Sequence, residues 1–214
     1  MVRIGLVSTY PPTRCGIANF SASLGDALAA LPGTEVAVVR LLDAATDAAG
    51  AAGAPVVADL PAGDPLARER AAAVLNRCDV AVVQHEYGIY GGEDGAEVLD
   101  LLERMRVPAV VVLHTVLDEP SPGQRSVLER LCAAAAVVVV MTAAARAKLA
   151  ERYRVDLGRV QVIPHGVLGL APAGAAHEGH RVLTWGLIGP GKGIEWGVRA
   201  MAELAADEPS VQPA

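Results

Sequence analysis

Short runs rich in valine and leucine alternate along the chain with stretches whose apolar residues recur every three or four positions, which is the rhythm of strand-helix-strand units. Val2 to Ser8 reads as the first strand. A loop from Thr9 to Gly16 follows, and then Ile17, Phe20, Leu24, Leu28 and Leu31 make one helical stripe closed by Pro32-Gly33. Glu35 to Leu42 reads as a second strand. Asp43 to Asp64 is rich in Ala, Gly and Pro and reads as an irregular connection with a short strand at Val56-Val57. The rhythm then predicts a helix over Pro65 to Arg77, a strand Val80 to Gln84, a helix Asp94 to Met105 and a strand Ala109 to Leu113. A helix Gly123 to Ala134, a strand Val137 to Met141, a helix Thr142 to Tyr153 capped by Thr142, and a strand Val160 to Ile163 complete the series. Strands that alternate with helices in this way build an α/β, Rossmann-like, doubly wound parallel sheet.

The pattern changes after Pro164-His165-Gly166. Val167 to His180, full of Gly, Pro and Ala, reads as a linker, and a second unit opens at Arg181 with a strand Val182 to Trp185, a glycine-rich loop and a helix from Gly193 to Ala206. The expected organisation is therefore a domain over residues 1–166, a linker over 167–180 and the truncated start of a second domain over 181–214. That start is an incomplete βα unit. One strand and one helix cannot close a core, so the stripe Ile194, Val198, Met201 and Leu204 must pack on the first domain, on a partner, or on nothing.

The glycine-rich loop carries the sharpest chemistry. Gly186-Leu187-Ile188-Gly189-Pro190-Gly191-Lys192-Gly193 follows a strand and opens a helix, whose unpaired N–H groups and positive dipole end suit a diphosphate, with Lys192 adding a full charge. Gly186, Gly191 and Lys192 also satisfy G-x-x-x-x-G-K, but a nucleotide-phosphate P-loop needs Ser or Thr next, to hold magnesium, and Gly193 stands there. A simple Gly-Pro turn with an exposed lysine is the bland alternative.

Composition narrows the rest. Of 214 residues 52% are hydrophobic and only 3% aromatic, so the core must be built of Ala, Val and Leu. A net charge of -6 with scattered Lys and Arg argues against a nucleic-acid surface. The longest apolar run, Leu131 to Met141, is too short to cross a bilayer, and the brief apolar run after Arg3 is no export signal; a cytoplasmic protein is expected, with peripheral membrane contact only through a local patch. Cys15, Cys78 and Cys132 form no CxxC pair and leave an odd count, which fits reduced thiols and excludes structural zinc. Cys15 precedes a helix start, where a thiolate nucleophile and a small packed thiol are both open readings.

In a doubly wound sheet ligands sit beyond the carboxyl ends of the strands near the switch point. Tyr10, Arg14, Gly16 and Asn19 fall there after the first strand. His85, Glu86, Tyr87, Gly88, Gly91 and Gly92 follow Gln84, and His114 and Thr115 follow Leu113. Each has a structural alternative: Tyr10-Pro11-Pro12 as a rigid loop, Glu86 as a solvated carboxylate, each histidine as a satisfied structural group. His85, His114 and His165 invite a metal, yet no clustered motif such as HExxH accompanies them, and none is expected. The first βα turn also lacks G-x-G-x-x-G, which disfavours a nicotinamide dehydrogenase.

Five segments in order along the chain carry a resemblance: Thr9-Tyr10-Pro11-Pro12 with Cys15-Gly16-Ile17-Ala18-Asn19-Phe20; Gln84-His85-Glu86-Tyr87-Gly88-Ile89-Tyr90-Gly91-Gly92; Leu113-His114-Thr115; Val162-Ile163-Pro164-His165-Gly166-Val167; and Gly186 to Glu195. Together they resemble glycosyltransferase family 4, retaining enzymes of GT-B architecture. The resemblance implies an N-terminal domain that holds the acceptor, a C-terminal domain that holds a nucleotide-sugar, and transfer in the cleft between them without a cofactor or bound metal. It implies His114 at the catalytic centre, Gly16, Gly191, Lys192 and Gly193 around the donor diphosphate, and Tyr10, Asn19, His85, Glu86 and Tyr87 toward a glycan, lipid-linked or small-molecule acceptor. Two departures stand out: Leu187 where the family often places an arginine, and an end at Ala214 ahead of the family's ribose-gripping carboxylate pair. The expectation is thus a hexosyltransferase fragment of low activity on its own, with a non-catalytic glycan- or partner-binding module as the alternative.

Overall fold

Val2–Ser8 (β1) enters the sheet as a largely apolar run interrupted by Arg3 and turns through Thr9 to Cys15 into a helix, Gly16–Ala29 (α1). The computed structural model describes residues 1–43, 55–166, 182–184, 189 and 192–207, and the chain falls into two units, Met1–Leu168 and Gly169–Ala214. In the first unit β2 is Thr34–Leu42, β3 Val56–Pro61, α2 Pro65–Leu75, β4 Val80–His85, α3 Glu97–Arg104, β5 Ala109–Leu113, α4 Pro122–Ala134, β6 Val137–Val140, α5 Ala143–Arg152 and β7 Val160–Val162. In the second unit the described helix is Ile194–Asp207 (α6).

The seven strands run parallel in the order β3-β2-β1-β4-β5-β6-β7. The chain steps outward from β1 through β2 to β3, crosses back to β4 and then steps the other way, so the switch point lies between β1 and β4. Alternate residues of each strand face opposite sides. Leu6, Val36 and Val38 pack under Ala22, Leu24 and Leu28 of α1. Val7, Val39, Val83, Val111 and Val138 belong to the other face, under Ala71 and Leu75 of α2, Leu101 and Leu102 of α3, Leu128 and Leu131 of α4 and Leu149 of α5. Among the described residues, one helix covers one face and four cover the other, the arrangement of a doubly wound sheet.

Local chemistry fixes the helix starts. Asp64, Ser121 and Thr142 each cap a helix by accepting a backbone N–H, at Ala67, Gln124 and Ala145 respectively, and Ser121 with Gln124 forms a reciprocal capping box. Gly5 is required by a close approach: a Cβ there would stand 2.6 Å from Leu75 Cδ2, so its absence lets α2 settle onto β1.

Three elements differ from the expectation. The strand in the Ala/Gly/Pro-rich region extends over Val56–Pro61 as a sheet edge, with a register shift against β2 at Val38/Val39; residues 44–54 lie outside the described set. The helix expected from Asp94 begins at Glu97, because Asp94 (φ 53°) and Gly95 (φ 75°) form a left-handed break that folds the loop onto the Tyr87 carbonyl. Val182–Thr184 are not in a strand; Trp185, the 167–180 linker and Gly191 lie outside the described residues.

Candidate functional site

The carboxyl ends of β1, β4 and β5 bring together side chains that the sequence spaces far apart. On the α1 face of the sheet, Gln84 at the end of β4 accepts a hydrogen bond from His114, just past β5, with Gln84 Oε1 and His114 Nε2 2.7 Å apart. Phe20 of α1 sets its ring edge to face against His114 at a centroid distance of 5.2 Å, and against His165, from the segment after β7, at the same distance. The two histidine rings are 6.4 Å apart. A half-buried imidazole, an aromatic ring and an exposed imidazole thus line one corner of the rim.

Burial, and then the charge that His165 would carry, push His114 down to about 4. At neutral pH it is an uncharged imidazole with one N–H to give and one lone pair to offer. Among the described residues its Nδ1 has no partner, so that lone pair is free for a ligand hydroxyl.

Beside this corner, Glu86 is held across the ends of β4 and β5: one oxygen accepts from the Tyr87 N–H at 3.0 Å and the other from the Thr115 hydroxyl. Tyr87 is half-buried, its hydroxyl reaching the Gln124 carbonyl at 3.4 Å; burial, with Tyr153 beside it, raises its pKa far above the ordinary range. The loop beyond is tied down by Arg68, whose guanidinium meets Glu97 at 2.8 Å and Asp100 at 3.3 Å, while Glu97 also accepts from the Gly63 N–H.

The start of α1 completes the rim. Cys15 is its N-cap: its sulfur accepts from the Ala18 N–H at 3.3 Å and contacts the Thr9 hydroxyl at 3.2 Å, which gives the thiol a structural task. Below it, the Ser8 and Ser21 hydroxyls pair at 2.6 Å inside the protein. Gly16, by contrast, answers to no local constraint: its φ is not in the left-handed region, and a Cβ there would meet nothing within 4 Å. What a glycine leaves at this helix N-terminus is open space over donors of the first turn.

The candidates therefore separate. His114, Glu86 and the exposed Gly16 and Asn19 lie along the rim, whereas the Tyr87 ring turns to the other face, against His85 and the start of α4. Tyr10 does not join them: it is 7% exposed and packs with Leu6, Val36 and Val38, because the turn after β1 folds its ring back onto the sheet. His85 does not join them either. It follows Gln84 on the strand and so faces the other side, fully buried, 5.0 Å from the Tyr87 ring and stacked 6.4 Å from Tyr90, with both ring nitrogens unpartnered. Burial first, then His114, pushes it down to about 4. Gln84, absent from the candidates, is the neighbour that shares the face of His114.

In the second unit Lys192 is exposed and Gly193, at φ 69°, leads into α6, with the Trp196 N–H bonded to the Gly193 carbonyl at 3.1 Å. Gly193 takes a left-handed turn that side chains disfavour. Among the described residues no group of three or more His, Cys, Asp or Glu is arranged to hold a metal ion, and no helix is long and apolar enough to cross a membrane. The described cysteines are free thiols.

Comparison with known proteins adds three findings. The model of the family described as Glycosyltransferase Family 4 matches residues 15–167. Among curated proteins no relative matches. Among solved structures, one similar chain is an alpha-glucosyltransferase in complex with UDP and a 13-mer DNA containing a central A:G mismatch, at 18% identity and a TM-score of 0.48; the match takes in 65% of this chain and 37% of that one.

Proposed function

The chain belongs to glycosyltransferase family 4, and from that premise we propose that it is part of an enzyme that transfers a sugar, with retention, from a nucleotide-sugar to an acceptor held by residues 1–166. The observation that carries the proposal is the neutral His114, bonded to Gln84 and flanked by Phe20 and His165 on the rim beside the switch point.

An uncharged imidazole at that position orients hydroxyls without competing for the charge that develops when the bond to the diphosphate breaks. Its lone pair accepts from a sugar hydroxyl of donor or acceptor, and Glu86, already fixed by Thr115 and the Tyr87 N–H, keeps acceptor capacity for a second hydroxyl. The departing nucleoside diphosphate gains charge in the transition state, and fixed positive groups there stabilise it more than they stabilise the bound donor. Gly16, at the start of α1, leaves the backbone free to approach that diphosphate. Lys192 and Gly193 at the head of α6, with Gly191, supply the matching charge and amides in the same reading, and residues 181–214 are the opening of the donor half.

The test is calorimetric titration of the 214-residue chain with UDP, GDP and their hexose conjugates, repeated with Gly16→Val. Measurable heat that the substitution abolishes supports the assignment; heat that Gly16→Val leaves unchanged removes Gly16 from the diphosphate site. A chain that binds glycans but neither nucleotide nor nucleotide-sugar is the non-catalytic module instead.

A further inference from the structure

Gln84 is a buried polar residue without a local reason to be there. It is 0% exposed, it lies between Val83 and His85 on the strand, and its register partner on β5 is Val112. Its Nε2 is buried without a partner, which makes the amide a poorer core residue than an apolar side chain of the same size. The described contact that its side chain makes is the 2.7 Å bond from Oε1 to His114 Nε2. Its backbone is pinned as well, since the buried Tyr90 hydroxyl donates to the Gln84 carbonyl at 2.8 Å, and the His114 N–H donates to the carbonyl of His85 at 3.0 Å. Both ends of the bond are therefore clamped by the β4–β5 ladder.

We propose that Gln84 is a positioning residue that fixes the tautomer and ring plane of His114. With Oε1 as acceptor, His114 carries its proton on Nε2, inside the protein, and turns the Nδ1 lone pair outward to accept from a substrate hydroxyl. Phe20 holds the same plane from α1 through its edge-to-face contact. The other titratable groups around the ring are His165 from the segment after β7 and His85 at the end of β4, while Glu86 is bound to Thr115, the residue after His114; Phe20 is what α1 presents. A glutamine amide is neutral, so it orders the ring without drawing a proton onto it. The role rests on His114 lining the centre of the proposed transfer reaction.

Imidazole-selective 15N–1H NMR on the intact 214-residue chain tests the proposal without any turnover. The unsubstituted chain is expected to show His114 with a pyrrole-like Nε2, a pyridine-like Nδ1 and a slowly exchanging Nε2–H resonance between pH 6 and 8. Gln84→Leu should lose that resonance to solvent exchange. Gln84→Glu should keep it and raise the His114 titration by about one to three pH units, because a carboxylate favours the imidazolium. A proton on Nδ1 in the unsubstituted chain, or a resonance that survives Gln84→Leu, overturns the proposal. So does a titration that Gln84→Glu leaves in place, the reading that remains if the leucine variant does not fold. A confirmed lock in a protein that binds no nucleotide-sugar would leave Gln84's hold on the ring standing and remove the transferase reading.

Discussion

Replacing His85 with Leu should flatten the acid sensitivity of the fold, and the size of the effect follows from where the ring sits. His85 is fully buried between Tyr87 and Tyr90 with neither ring nitrogen partnered, and burial holds its pKa at about 4 against an ordinary 6.5. Well above pH 6.5 the ring is neutral in both folded and unfolded chains and contributes no pH dependence. As pH falls from 6.5 toward 4, the unfolded chain binds a proton that the folded chain refuses, so stability falls with pH across that window and levels off below it. At pH 4.5 the two titrations differ by about 2–3 kcal/mol, part of it shared with His114. Urea unfolding of both proteins at pH 7.5 and 4.5 reads the effect directly. The original chain should lose about 2–3 kcal/mol more than His85→Leu over that interval, since carboxylate titrations are common to both and cancel. Leucine also removes two unpaired buried nitrogens, so the variant should be no less stable at pH 7.5. Equal losses in the two proteins would refute the buried, unpaired, neutral assignment.

Two further perturbations probe other parts of the molecule. Arg68→Met removes the guanidinium between Glu97 and Asp100 and should cost about 1–3 kcal/mol in urea unfolding, less than a fully buried pair because Asp100 is half-exposed; it should also speed amide exchange from Tyr87 to Glu97, and protection left intact there would show that the loop does not depend on this network. Lys192→Ala, in a form of the protein that carries out transfer, should lower kcat roughly a hundredfold with little change in acceptor KM, because the charge it meets develops on the leaving group; steady-state kinetics showing equal losses in both parameters would count against that role.

Much of the fold was legible because its signals are local. The ends of β1 and β5 were predicted to the residue, and Thr142 was assigned as a cap, since apolar runs and capping side chains act within a few positions. The edge strand β3 was under-read because an edge is paired on one side only and need not be apolar throughout: its burial alternates loosely, and Asp59 within it meets Arg40 at 2.8 Å. The late start of α3 was hidden for a different reason. Glu93, Asp94 and Gly95 suit a helix N-terminus by composition, but Gly95 has to pass against the Tyr87 carbonyl, where a Cβ would stand 2.6 Å from the oxygen, and that long-range contact sets the left-handed turn.

The site shows the limit of sequence reading most clearly at two adjacent residues. The topology of a doubly wound sheet singles out the rim after β4 and β5 as the place to look for a ligand, and Glu86 and His114 lie there. His85, expected toward the acceptor, lies on the face opposite His114, and Gln84 shares the His114 face. In a strand that is half-buried and patterned, polar and apolar residues alternate, and parity tells which side chain faces the helix. β4 offers no such signal: Val80, Ala81, Val82 and Val83 are apolar in succession because a central parallel strand is covered on both sides. Parity is settled only by which face α1 covers, and that depends on the crossover from β1 to β2, far away in sequence. Once α1 is seen over Leu6 and Val82, residue 84 must share its side with Phe20 and His114, and residue 85 must turn toward Tyr90. The glutamine then acquires a partner and the histidine loses its claim to a ligand, with no change in either residue's local sequence.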